Sequence, residues 1–160
     1  MPQIPQIHVV LVEPEIHWNT GNAGRTCLAA GARLHLIEPL GFSLEAKEIR
    51  RAGLDYWPAV RPCLWPDWAS FERHLPELGK PYLFSAEAKR DLWQPTYALP
   101  AVLIFGSESR GLPLDLRQRH ESELVRIPQV PGSVRSLNQS SAVGIALYEV
   151  LRSTRHSPAL

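Results

Sequence analysis

Apolar residues fall along this chain in short blocks cut by turn formers. Ile7-His8-Val9-Val10-Leu11-Val12 is a continuous, largely β-branched run stopped at Glu13-Pro14, the pattern of a buried strand. Leu34-His35-Leu36-Ile37, Tyr82-Leu83-Phe84-Ser85, Ala101-Val102-Leu103-Ile104-Phe105 and Leu124-Val125-Arg126-Ile127 repeat it, two of them closed by Pro39 and Pro128. Helices are expected between them. A short one over 22–31 ends on Gly31, and a charged one over 45–51 ends at Gly53. An amphipathic one starts at Asp67, an N-cap type, with apolar residues at 68, 71 and 75. A last helix over 138–152 carries Val143, Leu147, Val150 and Leu151 at helical spacing. Strands alternating with helices predict an α/β fold, a mainly parallel sheet covered by helices on both faces.

Composition adds limits. At 160 residues, with no repeat, low-complexity tract or linker, one domain over 1–160 is expected. Hydrophobic residues at 44% and charged residues at 21% exclude a disordered chain. No apolar run approaches a membrane span of about 20 residues, and the first residues lack the basic start of a signal peptide. Cys27 and Cys63 form neither a CxxC pair nor a disulfide framework, so a reduced, cytoplasmic setting without metal is expected. The net charge of +1 offers no global field for nucleic acid. The basic residues are chiefly Arg, however, whose planar fork grips phosphate. From residue 125 onward, Arg126, Arg135, Arg152 and Arg155 face one acid, Glu149.

Three turn-rich segments carry candidate chemistry. The first, over 19–25, follows a strand and opens a helix, where backbone N–H groups can meet an anion. Its glycines, Gly21 and Gly24, do not make a dinucleotide fingerprint. The second, Gly106-Ser107-Glu108-Ser109-Arg110-Gly111-Leu112-Pro113, follows the most strand-like run. Glycine there lets backbone approach a ligand beyond a strand's carboxyl end. The segment is not a P-loop, and Ser107 stands where a nucleophile elbow needs Gly. In the third, over 127–142, a Pro/Gly loop feeds a helix that Ser136 or Asn138 can cap. Ser140, Ser141, Ala142 and Gly144 allow close approach there, for packing or for a ligand.

Taken in order, Asn19-Thr20-Gly21-Asn22 with Arg25, Gly106-x-Glu108-x-Arg110-Gly111-Leu112, and Ile127-Pro128 with Ser136-Leu137-Asn138 and Ala142 resemble the three motifs of the SPOUT, or α/β-knot, RNA 2′-O-ribose methyltransferases. Val12-Glu13-Pro14-Glu15-Ile16, Leu36-Ile37-Glu38-Pro39-Leu40-Gly41-Phe42 and Arg50-Arg51-Ala52-Gly53-Leu54-Asp55-Tyr56 are similar to its minimal branch, which methylates cytidine or uridine 34, the wobble nucleotide of tRNA. The likeness spans about residues 7–152. The few residues before the first strand also favour that branch. Ala23, Gly24, Gln129 and Gln139 depart from its habit, and the loop over 131–136 reads more like general tRNA and rRNA ribose methylases. Another tRNA position, rRNA, or a non-catalytic RNA-binding dimer therefore stay open.

The resemblance implies a C-terminal trefoil knot and S-adenosylmethionine as cofactor, with S-adenosylhomocysteine as product and no metal. It implies a homodimer whose active sites combine both chains, and a tRNA anticodon stem-loop as partner. Its cofactor positions map to Gly106, Ile127, Ser136 and Leu137, with Ala86 a looser match. Its catalytic arginine maps to Arg25, expected to grip a phosphate and orient the ribose hydroxyl. Asn19 and Asn138 would shape the pocket, and Glu108 would tie the Gly loop to Arg25 or to the first motif. Lys47, Arg50, Arg51, Arg110 and Arg135 are candidate RNA contacts. Trp18, Trp57 and Trp65 are candidate stacking aromatics, with core packing the alternative for each.

Overall fold

The computed structural model describes residues 6–45, 47 and 55–154. Among these residues six parallel strands form one sheet in the order β3-β2-β1-β5-β4-β6. They are β1 (Ile7–Val12), β2 (Arg33–Ile37), β3 (Cys63–Trp65), β4 (Lys80–Phe84), β5 (Ala101–Phe105) and β6 (Leu124–Val125). The helices described are α1 (His17–Ala30), α2 (Trp57–Val60), α3 (Trp68–Leu78), α4 (Leu114–Arg119) and α5 (Gln139–Thr154). This is the parallel, helix-flanked sheet that the alternating pattern predicts.

The central strands are buried on both faces, so they read as unbroken apolar runs. Ile7, Val9 and Leu11 of β1, with Leu103 and Phe105 of β5, face a core shared with α1 and α5. Val10, Val12, Val102 and Ile104 face Phe71 and Leu75 of α3 on the other side. Asp67 caps α3 as expected, accepting from the Ser70 N–H at 2.7 Å. Gly31 ends α1 in the left-handed region, φ 74°.

The structure corrects the sequence reading in four places. Helix α1 starts at His17, so the segment over 19–24 is helix interior rather than a turn. Thr20, Ala23, Gly24, Cys27 and Ala30 make one small-residue face, buried against the sheet and neighbouring helices. At Gly24 a Cβ would stand 3.0 Å from the Trp57 ring and 3.1 Å from Val60. Close helix packing thus overrides the poor helix propensity of Asn, Thr and Gly. Second, β3 is an edge strand the pattern missed; it has only three residues, none buried. Third, α2 went unseen because it is a single turn. Fourth, β6 stops at Val125, and Arg126 instead makes an isolated bridge to Asp91. The expected charged helix over 45–51 lies, apart from Glu45 and Lys47, outside the described residues. No helix among the described residues is long and apolar enough to cross a membrane.

The core also holds a polar chain. The Trp65 indole N–H can only donate, and it does so to His35 Nδ1 at 3.0 Å. The proton of His35 must then sit on Nε2, which donates to His8 Nδ1 at 2.9 Å. Burial holds both imidazoles below the ordinary histidine range. For His35, with His8 and Arg33 adding to the effect, the value falls to about 3. The native state therefore keeps His35 neutral while the unfolded chain protonates near pH 6.5. Stability is full above about pH 6.5 and is lost as the pH falls toward 3, by about 1.4 kcal/mol per pH unit for one fully resisting histidine. Urea unfolding at pH 7, 6 and 5 should show a shallower loss in His35→Gln than in the parent; equal slopes would disprove the account.

Candidate functional site

Parallel order fixes where a site can form. From β1 the chain turns toward β2 on one side, and from β5 it crosses β4 to reach β6 on the other. Loops leaving two adjacent strands in opposite directions open a crevice at their carboxyl ends. A cavity of about 500 Å³ lies there. Phe84 and Phe105, paired in register as the last residues of β4 and β5, line it with their rings stacked at 4.8 Å. Ser85, Ala86 and Glu87 form one wall, and 106–112 another. Ile127, Gln129 and 135–139 close it, with Ala142 from α5.

The loop after β5 is folded back on itself. Ser107 and Gly111 exchange backbone hydrogen bonds, and Gly111 is left-handed at φ 66°. A Cβ on Gly106 would stand 2.1 Å from the Gly111 carbonyl carbon, so only glycine fits. Across the crevice, the Glu108 carboxylate accepts from the backbone N–H groups of Glu15 (3.0 Å) and Ile16, at the mouth of α1. Glu15 returns the contact, accepting from the Ser109 N–H and hydroxyl. Those hydrogen bonds hold the Glu15 carboxyl below the usual carboxylate range. The third segment closes the ring. Asn138 donates to Asn19 Oδ1 at 2.9 Å, Gln139 to the Gly106 carbonyl at 2.7 Å, and Arg135 to the Ser109 carbonyl at 3.4 Å. Asn138, not Ser136, caps α5, accepting from the Ser140 N–H at 3.0 Å. Arg117 pairs with Glu87 and donates to the Leu112 carbonyl, joining two cavity walls.

All five positions expected at a cofactor, Ala86, Gly106, Ile127, Ser136 and Leu137, line this cavity. So do Asn19, Glu108, Asn138, Arg110 and Arg135. Glu108 binds the backbone ahead of the first motif rather than Arg25. Arg25 does not line the cavity. It is exposed on α1, its guanidinium 5.6 Å from the centre of the Tyr56 ring, while the Tyr56 hydroxyl donates to the Gly21 carbonyl. Lys47 is exposed and away from the lining, and Arg50 and Arg51 lie outside the described residues. Among the described residues no group of three or more His, Cys, Asp or Glu is placed to hold a metal ion.

Residues 6–148 match the SpoU rRNA Methylase family. The chain belongs to that family. It is 42% identical over 147 residues to the tRNA (cytidine(34)-2′-O)-methyltransferase of Burkholderia ambifaria, covering 91% of this chain and 94% of the relative. A solved structure described as giving insights into 2′-OH methylation of C/U34 on tRNA superposes with a TM-score of 0.86 at 43% identity, covering 97% and 99% of the two chains. An AdoMet-bound rRNA methyltransferase from Sinorhizobium meliloti superposes with a TM-score of 0.77 at 28% identity; this chain spans 94% of itself and 57% of that protein.

For this SpoU family chain, sequence reasoning missed the cavity's most direct contacts. Glu15 and Glu108 stand 93 residues apart, and nothing local pairs them. Phe84 and Phe105 were legible only as strand residues, although an aromatic ending each of two strands beside Gly106 was a signal. Gln139 departs from the branch's habit, and nothing local marks it as the residue that binds Gly106. Because two backbone donors at the start of α1 depend on one carboxylate, Glu108→Ala should lower stability by about 2 kcal/mol, the scale of hydrogen bonds to a charged group. Chemical denaturation reads this directly, and an unchanged midpoint would sink the clasp.

Proposed function

We propose that this chain is an S-adenosylmethionine-dependent tRNA 2′-O-ribose methyltransferase acting on nucleotide 34, a cytidine or uridine derivative at the wobble position. The observation that carries the reading is the meeting of the three motif segments in one cavity at the β1/β5 crevice. The similarity to proteins named for that reaction supports it.

The cavity fits the cofactor. Its volume suits a nucleoside-sized ligand. The stacked Phe84 and Phe105 rings offer an apolar bed for an adenine, and the cramped turn at Gly106 leaves backbone rather than side chain facing it. Ala86, Gly106, Ile127, Ser136 and Leu137 would hold it. When bound there, the cofactor would supply the methyl of its sulfonium to the ribose 2′-oxygen, leaving as S-adenosylhomocysteine, with the hydroxyl proton passing to water or the adjacent phosphate. The chain's own task is to orient the hydroxyl and exclude water. Asn19 and Asn138, locked together, fix the pocket wall. Arg110 and Arg135 offer cations for the phosphates on either side.

Arg25 is the catalytic residue in this reading, and its place on the outer face of α1 calls for a second copy. Leu28 on α1 and Ile145 and Tyr148 on α5 are exposed apolar residues on two helices that pack together. A homodimer formed on this face buries them and brings Arg25 toward the partner's cavity. There a guanidinium, always protonated, grips the substrate phosphate and positions the hydroxyl rather than acting as a free base. The knotted C-terminal path and a single domain over 1–160 belong to the same reading. So does a cytoplasmic location, supported by two free cysteines, with the buried Cys27 thiol pushed up to about 12.

The test is incubation with labelled S-adenosylmethionine and total RNA, followed by mapping of the methylated ribose. Label at nucleotide 34 of tRNA is expected; label confined to rRNA would overturn the position, and none at all the activity. Arg25→Ala should cut turnover at saturating tRNA by about 100-fold, as loss of a charge-stabilising group does, while calorimetric affinity for the cofactor stays near that of the parent. Near-normal turnover would remove Arg25 from the mechanism.

A further inference from the structure

The structure separates the three tryptophans that the sequence offers for base stacking. Trp65 is committed to the core side of the sheet: its N–H is held by His35, and its ring packs against His35 and Phe71. Trp57 closes on Gly24 where α1 meets α2. Trp18 remains 54% exposed in the first turn of α1. Its chain neighbours include Ile16 and Asn19, both in the wall of the cavity described above.

Trp18 is also braced. The His17 ring packs edge-on against Trp18 at 5.0 Å and against Phe42 at 6.4 Å. The loop carrying Phe42 is pinned beside this site by the Gly41 N–H, which donates to the Pro14 carbonyl at 2.9 Å. Gly41 lies so close that a Cβ would stand 2.6 Å from the Glu15 carbonyl oxygen. Beyond Phe42 opens a second groove, lined by Pro39, Leu40, Leu44 and Leu64. His17 and Trp18 thus sit between two cavity-wall residues in the chain, and their ring contacts reach Phe42 of the apolar groove. Arg110 and Arg135 stand on the cavity side, and Lys47 follows the Phe42 loop.

We propose that Trp18, braced by His17 and Phe42, is the platform on which an unpaired base of the substrate RNA stacks, either the methylated nucleotide's base or its immediate neighbour's. The inference rests on the RNA methyltransferase reading. Every base has a π-face, so an indole serves without reading sequence, and Arg110 and Arg135 in the cavity lining suit a phosphate backbone. Stacking the base also fixes the ribose attached to it, which a reaction at a ribose hydroxyl requires.

The experiment measures binding and steady-state methylation of an anticodon stem-loop by the parent, Trp18→Ala and Trp18→Phe. The RNA is intact or abasic at the methylated nucleotide or at either neighbour. Trp18→Ala should raise KM and Kd for the intact RNA by about 5- to 150-fold, the range of a lost base–aromatic stack. Trp18→Phe should restore most of this, and cofactor affinity and sedimentation should match the parent. The penalty should vanish on one of the three abasic RNAs. Equal RNA affinity in Trp18→Ala, an equal penalty on all the abasic RNAs, or a change in oligomeric state would overturn the platform. The last outcome would assign Trp18 to a contact between copies. A parent protein that methylates no RNA would instead overturn the underlying reading.

Discussion

The Glu108 carboxylate holds two backbone N–H groups at the entrance of α1, and the site's shape follows from that contact. Strands β1 and β5 are neighbours in the middle of the sheet, but their chains leave in opposite directions. Without a tie, the two lips of the crevice would be free to part. Glu108 ties the β5 lip to the β1 lip, and Glu15 ties it back through Ser109. A negative charge at the start of a helix is also favoured by the helix dipole. One carboxylate therefore starts α1 and fixes the cavity at the same time.

The second constraint is steric. Helix α1 is buried along a face of small residues, which draws it close to its neighbours and leaves Asn19 opposite Asn138. The Asn19–Asn138 hydrogen bond then sets where α5 begins, because the same Asn138 side chain caps that helix. Gln139, next along, reaches the Gly106 carbonyl. Gly106 is obligatory because the loop closes within 2.1 Å of where its Cβ would be. Three segments more than a hundred residues apart at their extremes thus share one small set of contacts.

What faces outward is set by the same packing. With the small face of α1 turned in, Trp18, Asn22, Arg25 and Leu28 are left exposed. Trp18 and Arg25 are two turns apart on one side of the helix. The first is next in the chain to Asn19 of the cavity wall, and the second lies farther along, next to Tyr56. The net charge of +1 says little about such an arrangement. Placement of a few arginines around the crevice is what bears on a polyanion.

Alone, the sequence determined the parallel α/β class, the central strands, the α3 cap at Asp67 and the Gly31 stop, because each depends on neighbours within a few residues. Its three motifs also named most of the residues that line the cavity. It misread 19–24 as a turn, since Asn, Thr and Gly favour turns locally and only burial against α2, α5 and the sheet makes them helical. It missed β3, whose three residues gain strand form only by pairing with β2. It could not link Glu15 to Glu108, or separate Trp18 from Trp57 and Trp65. Nor could it show that Arg25 stays out of the lining of the cavity its motif helps to build. Those depend on which surfaces meet across the sheet, and tertiary packing alone decides that.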